Sequence, residues 1–370
     1  MDKHLGFICA PELPEYMTNR LIDELATYCE EQVDSDYNWK LDLITDPLTG
    51  AAETADEIID EANHISNKQN WDYTICVTDL PLFDNDDVVL ADVNIKKGIA
   101  QLSIPALGAP PMQKRTKQLI QKLIHELHEQ ENKHKEVKKT ATHRYKRKFN
   151  LSPIRRIEKT LSNDLSIIRY LVIPKINGRL RTLLGMTYAN RPWAVIASFK
   201  PIIAVAFATG AYSLIFPTLW ELSLSYNLFR LIGMTFASIA SMVIWMIVSH
   251  QLWEKRTQKG GKRFKRLYNA TTLSTLSIAV IAYYLVLFVI FSTAIILFVP
   301  PDLFESLTDV DKEIDFAAFL RLSWLATSVA TLAGSVGASS ESDELVRNIA
   351  YGYRQNRRYQ EIEQQDVESE

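Results

Sequence analysis

Two hydrophobic patterns alternate along the first part of the chain. Short apolar runs predict buried β-strands, and apolar residues three and four positions apart predict amphipathic helices. The predicted strands are residues 4–10, 39–44, 71–78, 88–93 and 99–104, and the predicted helices are residues 12–32 and 53–67. Because strands and helices alternate, the pattern predicts a two- or three-layer α/β domain.

The second half of the chain contains four long apolar segments instead. A helix needs about 20 apolar residues to cross a hydrocarbon core of ~30 Å. Residues 201–219, 228–249, 273–299 and 316–337 meet that requirement. The pattern therefore predicts an all-α transmembrane four-helix bundle attached to the α/β domain.

Three further helices are predicted between these two parts. In residues 113–139 the leucines and isoleucines share one face. Residues 152–173 have a similar spacing up to Pro174, which predicts a second helix. Residues 178–190 mix arginines with leucines, a composition typical of a helix lying in the membrane interface just before the first span.

The charge distribution divides the chain at similar places. Residues 1–112 hold 22 Asp/Glu and 6 Lys/Arg, a net charge of -16, whereas residues 113–192 hold 6 Asp/Glu and 20 Lys/Arg, a net charge of +14. We therefore predict an acidic cytosolic domain (1–112), a basic helical neck (113–192), the four spans (193–338) and a charged cytosolic tail (339–370). Because their charges are opposite, the acidic domain could also dock on the neck.

The basic loops predict the orientation of the spans. Residues 251–269 contain seven Lys/Arg, and the neck and tail are also basic, whereas residues 217–227 contain none. Residues 300–315 have one lysine among six acidic residues. Since Lys and Arg concentrate in cytoplasmic loops, we predict a multi-pass protein of the plasma membrane with both termini in the cytoplasm.

A cluster of basic residues in the neck indicates a lipid partner. Beside transmembrane helices, the anionic headgroups of the inner leaflet attract such residues at about 1 kcal/mol per Lys or Arg, and we do not expect nucleic acid binding. A solvated linker is the alternative. The cluster consists of Lys138, Lys139, Arg144, Lys146, Arg147 and Lys148.

Small residues recur every four positions in two of the spans. The two stripes are Gly233, Ala237 and Ser241, and Ala326, Ala330 and Gly334. Such stripes let helix backbones approach closely. They predict either tight packing within the bundle or a homodimer interface.

Other polar residues of the acidic domain have plain interpretations. Its three cysteines, Cys9, Cys29 and Cys76, form no CxxC pair, which fits a reducing compartment without disulfides.

The aspartates between residues 79 and 92 lack the spacing of a calcium loop. We interpret them as solvated turn residues.

One short motif suggests a metal site. A zincin helix carries HExxH, in which two histidines four residues apart bind zinc and the glutamate activates a metal-bound water. Here the sequence is His125, Glu126, Leu127, His128 and Glu129, so the second histidine comes one position early. Glu126 is the candidate catalytic residue, and His125, His128 and Glu129 are candidate zinc ligands. The alternative, a charged surface helix with incidental histidines, needs no cofactor.

The features that precede this motif follow a distinctive order. They are Thr78, Asp79 and Leu80, then residues 88–93, then Gly98, Ala100 and Ser103, then residues 124–129. In this order they resemble the archaemetzincin family of zincin-fold proteins, over residues 1–130. Glu129 stands where that family has its second histidine, and the later glycine and histidine of the ligand set are missing. The resemblance therefore implies a degenerate zincin-like domain.

Motifs spread over most of the chain carry a second resemblance. They are residues 78–81 (TDLP), 91–93 (ADV), 103–108 (SIPALG), 185–186 (GM) and 189–193 (ANRPW). They resemble an uncharacterised family of four-span membrane proteins from Gram-positive bacteria. The resemblance implies a shared fold and topology and brings no known activity.

Three hypotheses about function follow from the sequence. We expect an integral membrane protein whose cytosolic domain is a non-enzymatic binding or sensing module held at the inner leaflet. One alternative is a membrane-anchored zincin-like metallohydrolase. Another is a transporter or channel subunit, although the interiors of the spans lack the ionisable residues typical of such pathways.

Overall fold

A computed structural model describes most of the chain. The described residues are 2–47, 49, 55–84, 87–108, 110–135, 154–161, 165–254, 262–308, 315–337, 346–351, 353, 354, 357, 358 and 360. The chain forms two compact units. The sheet unit comprises Met1–Ala189, Gln258–Gly260 and Arg354–Glu370, and the helical unit comprises Asn190–Thr257 and Gly261–Tyr353.

An eight-stranded mixed sheet forms the centre of the sheet unit. Its strands are β1 (Asp2–Cys9), β2 (Asn38–Thr45), β3 (Tyr73–Thr78), β4 (Leu82–Asp84), β5 (Asp87–Asn94), β6 (Ile99–Ser103), β7 (Ile154–Leu161) and β8 (Leu165–Val172). Their order is β2-β1-β3-β6-β5-β8-β7, and β4 pairs with the start of β5. The pairs β1–β2, β1–β3 and β3–β6 are parallel, and the pairs that involve β5, β7 or β8 are antiparallel.

Helices cover both faces of this sheet. They are α1 (Leu13–Asn19), α2 (Ile22–Tyr28) and α4 (Met112–Lys135) on one face, and α3 (Ala55–Gln69) on the other. Successive side chains of a strand point to opposite faces, so Phe7 and Ile8 of β1 belong to different cores. The predicted α/β domain is confirmed, although the single helix expected over residues 12–32 is divided into α1 and α2.

The helix predicted for residues 152–173 is wrong, because this segment forms the antiparallel hairpin of β7 and β8. β8 is buried on both faces of the sheet: Tyr170 and Val172 join the core under α4, and Leu171 joins the core under α3. A strand that is buried on both faces has apolar residues at odd and at even positions alike. Its pattern therefore imitates the three- and four-residue spacing of a helix.

Helix α5 (Lys175–Ala189) corresponds to the short helix predicted before the first span. One face packs on the sheet unit, where Gly185 lies so close to Pro105 that a Cβ would stand 2.1 Å from the Pro105 carbonyl oxygen. The Nε atom of Arg181 on that face donates to the Leu107 carbonyl oxygen at 3.0 Å. On the outer face, Ile176, Leu180 and Leu184 are exposed.

The helical unit contains seven helices within its described residues. They are α6 (Pro192–Ser198), α7 (Lys200–Gly210), α8 (Pro217–Ser225), α9 (Leu228–Ser249), α10 (Lys262–Phe298), α11 (Pro301–Leu307) and α12 (Phe316–Gly337). Three stretches in α9, α10 and α12 are long and apolar enough to cross a membrane: Leu228–Ser249, Phe264–Phe298 and Phe316–Ser335. They overlap the second, third and fourth predicted spans. The stretch for the second span has the predicted bounds, the one for the third begins nine residues before the predicted start, and the one for the fourth ends two residues before the predicted end.

The first predicted span, residues 201–219, is not one continuous helix. α7 ends at Gly210, a 3-10 turn covers Ala211–Leu214, and Pro217 begins α8. Proline lacks an N–H and disfavours helical geometry in the residue before it, and Phe216 is extended. Pro217 was therefore a visible signal for this break.

The short helix α7 nevertheless packs inside the helical bundle. A Cβ at Gly210 would lie 2.2 Å from Phe291 of α10 and 2.8 Å from Ala330 of α12. Near the other end of α7, Gly334 of α12 lies against Ile202 and Ala206. α7 is thus packed along its length between α10 and α12.

Candidate functional site

The residues of the α4 motif point in different directions. His128 is buried against the sheet, with one ring nitrogen 3.3 Å from the Tyr73 hydroxyl and the other 3.1 Å from Asp34 Oδ2. The rings of Tyr37 and Trp39 pack edge-on against it. His128 is therefore a core residue that joins α4 to the start of β2 and β3.

Glu126 faces the hairpin of β7 and β8 instead. It accepts hydrogen bonds from the Tyr170 hydroxyl and from Arg156 Nη2, both at 2.7 Å. Burial raises the pKa of Tyr170, and the nearby Glu126 carboxylate raises it further. Lys122 Nζ lies 4.5 Å from the centre of the Tyr170 ring, and burial lowers the pKa of this lysine. Glu126 is thus a structural contact between α4 and the hairpin.

The proposed zinc ligands are not brought together. His125 is half-buried with its ring edge-on to Tyr28, and Glu129 is exposed. Within the described residues, no group of three or more His, Cys, Asp or Glu side chains is placed to hold a metal ion. His125, His128 and Glu129 therefore do not fit a zinc site in this conformation, and we derive no metal chemistry from them.

The proposed lipid-binding cluster cannot be placed in the same way. Lys138, Lys139, Arg144, Lys146, Arg147 and Lys148 lie outside the described residues. Its contact with anionic lipid stays a prediction.

The aspartates interpreted as solvated turn residues include two that are buried. Asp92 is 2% exposed and accepts from Arg169 Nε and Nη2 at 2.7 and 2.6 Å. Arg169 also contacts Asp84 at 3.0 Å. The hydrogen bonds that Arg169 donates to Asp92 raise the pKa of Arg169 despite burial. The solvated interpretation is therefore wrong for Asp92, because its partner is supplied by β8, which was predicted as a helix.

Asp79 is the second buried aspartate, and its partners lie in the C-terminal segment. It follows β3 directly and is 2% exposed. Arg358 donates from Nη1 and Nη2 to the two carboxylate oxygens of Asp79, at 2.9 and 3.2 Å. Arg354 lies 3.7 Å from both Asp79 and Glu12, and Arg357 lies 3.1 Å from Glu12. We call Glu12 and Asp79 the carboxylate crevice.

Sequence reasoning missed this constellation. The sequence predicts Asp79 to be a solvated turn residue within the motif TDLP, and its tail arginines predict only the membrane orientation. The one local signal was position, since Glu12 and Asp79 follow two buried strands.

In the helical unit, the conspicuous polar feature is a hydrogen-bond network between helices. Trp324 Nε1 donates to Thr235 Oγ1 at 2.6 Å, Thr235 lies 3.1 Å from the Tyr284 hydroxyl, and that hydroxyl lies 2.8 Å from Ser328 Oγ. The network joins α9, α10 and α12. Every member is a neutral side chain.

The two small-residue stripes have different surroundings. Ala326, Ala330 and Gly334 of α12 are buried within the bundle, as close packing requires. Gly233 and Ala237 of α9 are exposed, and a Cβ at Gly233 would meet nothing within 4 Å. The α12 stripe therefore belongs to the bundle interior, and the α9 stripe faces outward.

Comparison with known protein families, with characterised proteins and with solved structures finds no match for this chain. The function must therefore be argued from the geometry of its own residues.

Proposed function

We propose that the protein is a multi-pass membrane protein whose sheet unit is a non-enzymatic binding or sensing module on the cytoplasmic side. The observation that carries this proposal is which segments of the chain form the sheet unit. Residues before the first apolar helix and residues after the last one, from Arg354 onward, belong to the same compact unit. Both segments must therefore lie on the same side of a membrane.

This arrangement requires an even number of crossings. Three stretches qualify by length, and the segment of α7 and the following 3-10 turn supports a fourth. Its 11 α-helical and four 3-10 residues rise about 25 Å, close to the ~30 Å of a bilayer core. Trp220 of α8, which follows this segment, and Phe304 of α11, which follows α10, have ring centres 5.3 Å apart. This contact supports a crossing by the α7 segment that ends on the same side of the membrane as α10.

The charge of the loops supports the cytoplasmic side. Residues 251–269, which include the connection from α9 and the first turns of α10, contain seven Lys/Arg, whereas residues 217–227 contain none. Basic loops remain in the cytoplasm. The sheet unit would then sit at the inner leaflet, where its acidic residues meet the cytosol.

The outer face of α5 supports a direct contact with lipid. Ile176, Leu180 and Leu184 are 82, 55 and 45% exposed and lie four residues apart, on one face of the helix. Lys175 and Arg179 beside them are exposed too. Residues 190–199 connect this helix to α7, so the apolar face is tethered near the bilayer. An apolar face flanked by cations is typical of a helix in the interface plane.

Binding fits the sheet unit better than catalysis does. Glu126, the one candidate catalytic residue, is held by Tyr170 and Arg156. β8 also pairs along β5, the strand edge to which an extended peptide would otherwise add. These contacts argue against a metallohydrolase, so we retain the non-enzymatic module as the proposal.

Reporter fusions test the topology. A fluorescent protein fused after Glu370 is expected to fluoresce in the cytoplasm, and alkaline phosphatase fused after Asn227 or Thr308 is expected to be active outside. The matched control is phosphatase fused after Glu254, which is expected to be inactive. An external C-terminus would overturn the proposal, since the two ends of the sheet unit would be separated by the membrane.

Spin labels test the contact of α5 with lipid. A nitroxide at Leu180→Cys is expected to be more accessible to oxygen than to a polar nickel reagent, as in a lipid environment. The matched control, Lys68→Cys on the exposed end of α3, is expected to show the opposite preference. Equal profiles at the two sites would contradict the interfacial placement.

Metal content separates the module from the metallohydrolase alternative. Elemental mass spectrometry of the purified full-length protein is expected to find no stoichiometric zinc, in the wild type or in His125→Ala. About one zinc per chain that is lost in His125→Ala would revive the metallohydrolase hypothesis.

A further inference from the structure

The carboxylate crevice lies at a special position of the sheet. The strand order is β2-β1-β3, so the chain moves from β1 to β2 on one side and adds β3 on the other. The order therefore reverses between β1 and β3. Open α/β sheets bind ligands in the crevice at the carboxyl ends of such strands.

Both acidic residues come from the loops that flank this point. Asp79 is the first residue after β3, and Glu12 is three residues past the end of β1. Glu12 has a φ of 73° and a ψ of -109°, a backbone conformation that favours glycine. Strained backbone of this kind clusters at ligand-binding sites.

The groups that occupy the crevice are arginine side chains of the C-terminal segment. The Arg358 guanidinium is 1% exposed and matches the Asp79 carboxylate with two hydrogen bonds. Its Nη2 atom also approaches the Pro11 carbonyl oxygen at 3.4 Å. A planar guanidinium and a carboxylate form such two-point contacts with high geometric selectivity, which an ammonium group cannot reproduce.

A second guanidinium binds between the two carboxylates. Arg354 is 2% exposed, and its Nη1 atom lies 3.7 Å from both Asp79 and Glu12. Arg357 completes the set at the rim, where it donates to Glu12 at 3.1 Å. Isolated charges are not buried without strong pairing, so this degree of burial distinguishes the crevice from an incidental surface ion pair.

We propose that the carboxylate crevice is a binding site for arginine-bearing peptide segments, with the C-terminal segment of this chain as its resident ligand. Arg358 lies 279 residues after Asp79 in the sequence, so its binding also holds the C-terminal segment on the sheet. An arginine-bearing segment of another protein would have to displace the tail. This inference goes beyond the proposed membrane function, and it shares with that function the requirement that the sheet unit and the C-terminal segment lie on the same side of the membrane.

Trypsin cleavage of the detergent-solubilised full-length protein tests whether the tail occupies the crevice. Asp79→Asn is expected to raise the rate of cleavage after Arg354 and Arg358 roughly tenfold or more, because loss of a two-point charged pair shifts the docking equilibrium by that order. Asp2→Asn, which removes an exposed pair with Lys40, is the matched control and is expected to leave the rate unchanged. Equal rates in the wild type and Asp79→Asn would overturn the proposal.

A synthetic peptide of residues 346–360 tests the specificity of the site. It is expected to bind the full-length variant Arg354→Gln/Arg358→Gln, whose own tail no longer competes, and to bind the wild type at least roughly tenfold more weakly. Adding Asp79→Asn to that variant, or replacing the peptide arginines with lysine, is expected to abolish binding. Binding that is insensitive to Asp79 would overturn the proposal.

A folding control keeps the result interpretable. If Asp79→Asn fails to fold, Arg358→Gln leaves both carboxylates in place and is still expected to speed cleavage after Arg354. No change in Arg358→Gln, in a protein with the thermal unfolding profile of the wild type, would also overturn the proposal.

Discussion

The sheet unit and the helical unit handle buried polar groups in opposite ways. In the sheet unit, buried charges form pairs between residues far apart in sequence, such as Asp92 with Arg169 and Asp79 with Arg358. In the described part of the helical unit, the buried polar residues include no Asp, Glu, Lys or Arg. Many of their hydroxyls bond to their own helix, as Thr275 does to the Thr271 carbonyl oxygen at 2.9 Å.

The difference fits the surroundings that we propose for each unit. A charge at the centre of a bilayer is costly, so membrane helices satisfy polar groups through their own backbone or neutral neighbours. A water-soluble domain can bury a charge when the partner and geometry are good. The sheet unit therefore depends on long-range ion pairs, and the helical unit on local bonds and close packing.

The largest effect is expected from Arg169→Met. The substitution leaves Asp92, whose side chain is 1% exposed, buried without its two-point partner. Removing one member of a buried pair costs about 3–5 kcal/mol, so we expect a marked fall in the thermal unfolding temperature. The control Lys40→Met breaks an exposed pair with Asp2 and is expected to change it little. Equal unfolding temperatures for the two variants would contradict a special role for buried pairs.

A packing effect of intermediate size is expected in the helical unit from Gly210→Ala. The new Cβ would lie 2.2 Å from Phe291 and 2.8 Å from Ala330, and overpacking of this kind costs about 1–3 kcal/mol. Gly233→Ala on the outward face meets no atom within 4 Å, and alanine favours helix over glycine by about 1 kcal/mol. Thermal unfolding in detergent is expected to separate the two, with Gly233→Ala unchanged or more stable. A stabilising Gly210→Ala would show that α7 does not pack against α10 and α12 this closely.

A smaller effect is expected from Thr235→Val. It removes the hydroxyl that accepts from Trp324 and contacts Tyr284, and hydrogen bonds between membrane helices contribute about 0.6 kcal/mol on average and up to ~1.7. Thr293→Val is the matched control, because the exposed Thr293 hydroxyl bonds only to the Val289 carbonyl oxygen in its own helix. In the same detergent measurement, Thr235→Val is expected to unfold at a lower temperature than the control. The reversed order would show that the network does not stabilise the bundle.

Local contacts explain which features the sequence could predict. The spans expected at residues 228–249 and 316–337 match α9 and α12, because a membrane helix satisfies its backbone within one segment. Five strands and α3 were likewise predictable from short-range patterns. The predicted basic lipid site stays a prediction, since residues 138–148 lie outside the described part.

Long-range contacts explain what the sequence could not predict. Residues 152–173 looked helical because β8 has a sheet neighbour on both sides and an apolar core on both faces. Asp92 and Asp79 looked solvated because their partners, Arg169 and Arg358, lie 77 and 279 residues away. No spacing rule relates such distant residues, so the carboxylate crevice could be found only after the strands were assembled.

The smallest effect, near zero over the ordinary pH range, is expected for the pH dependence of tail docking. Burial acts to raise the pKa of Asp79, but the charges of Arg358 and Arg354 and the hydrogen bond from Arg358 outweigh it, so the pKa lies below its ordinary value. A carboxyl group with a lowered pKa stabilises the folded state above its unfolded pKa of about 3.9, and this contribution is lost as the pH falls through the folded value.

Docking should accordingly be constant from about pH 8 to pH 5 and weaken only in acid below the ordinary aspartate range. The mobility of a nitroxide at Gln360→Cys, on an exposed residue of the tail, measures it. Burial raises the pKa of the native Cys9 and Cys29 thiols to about 12 and also raises that of Cys76, so the label should react at the new cysteine alone. In Arg358→Gln the tail is expected to be mobile at every pH. Release of the wild-type tail between pH 8 and pH 5 would mean that a group other than Asp79 controls docking. Contacts weaker than the buried ion pairs would then hold the C-terminal segment on the sheet unit.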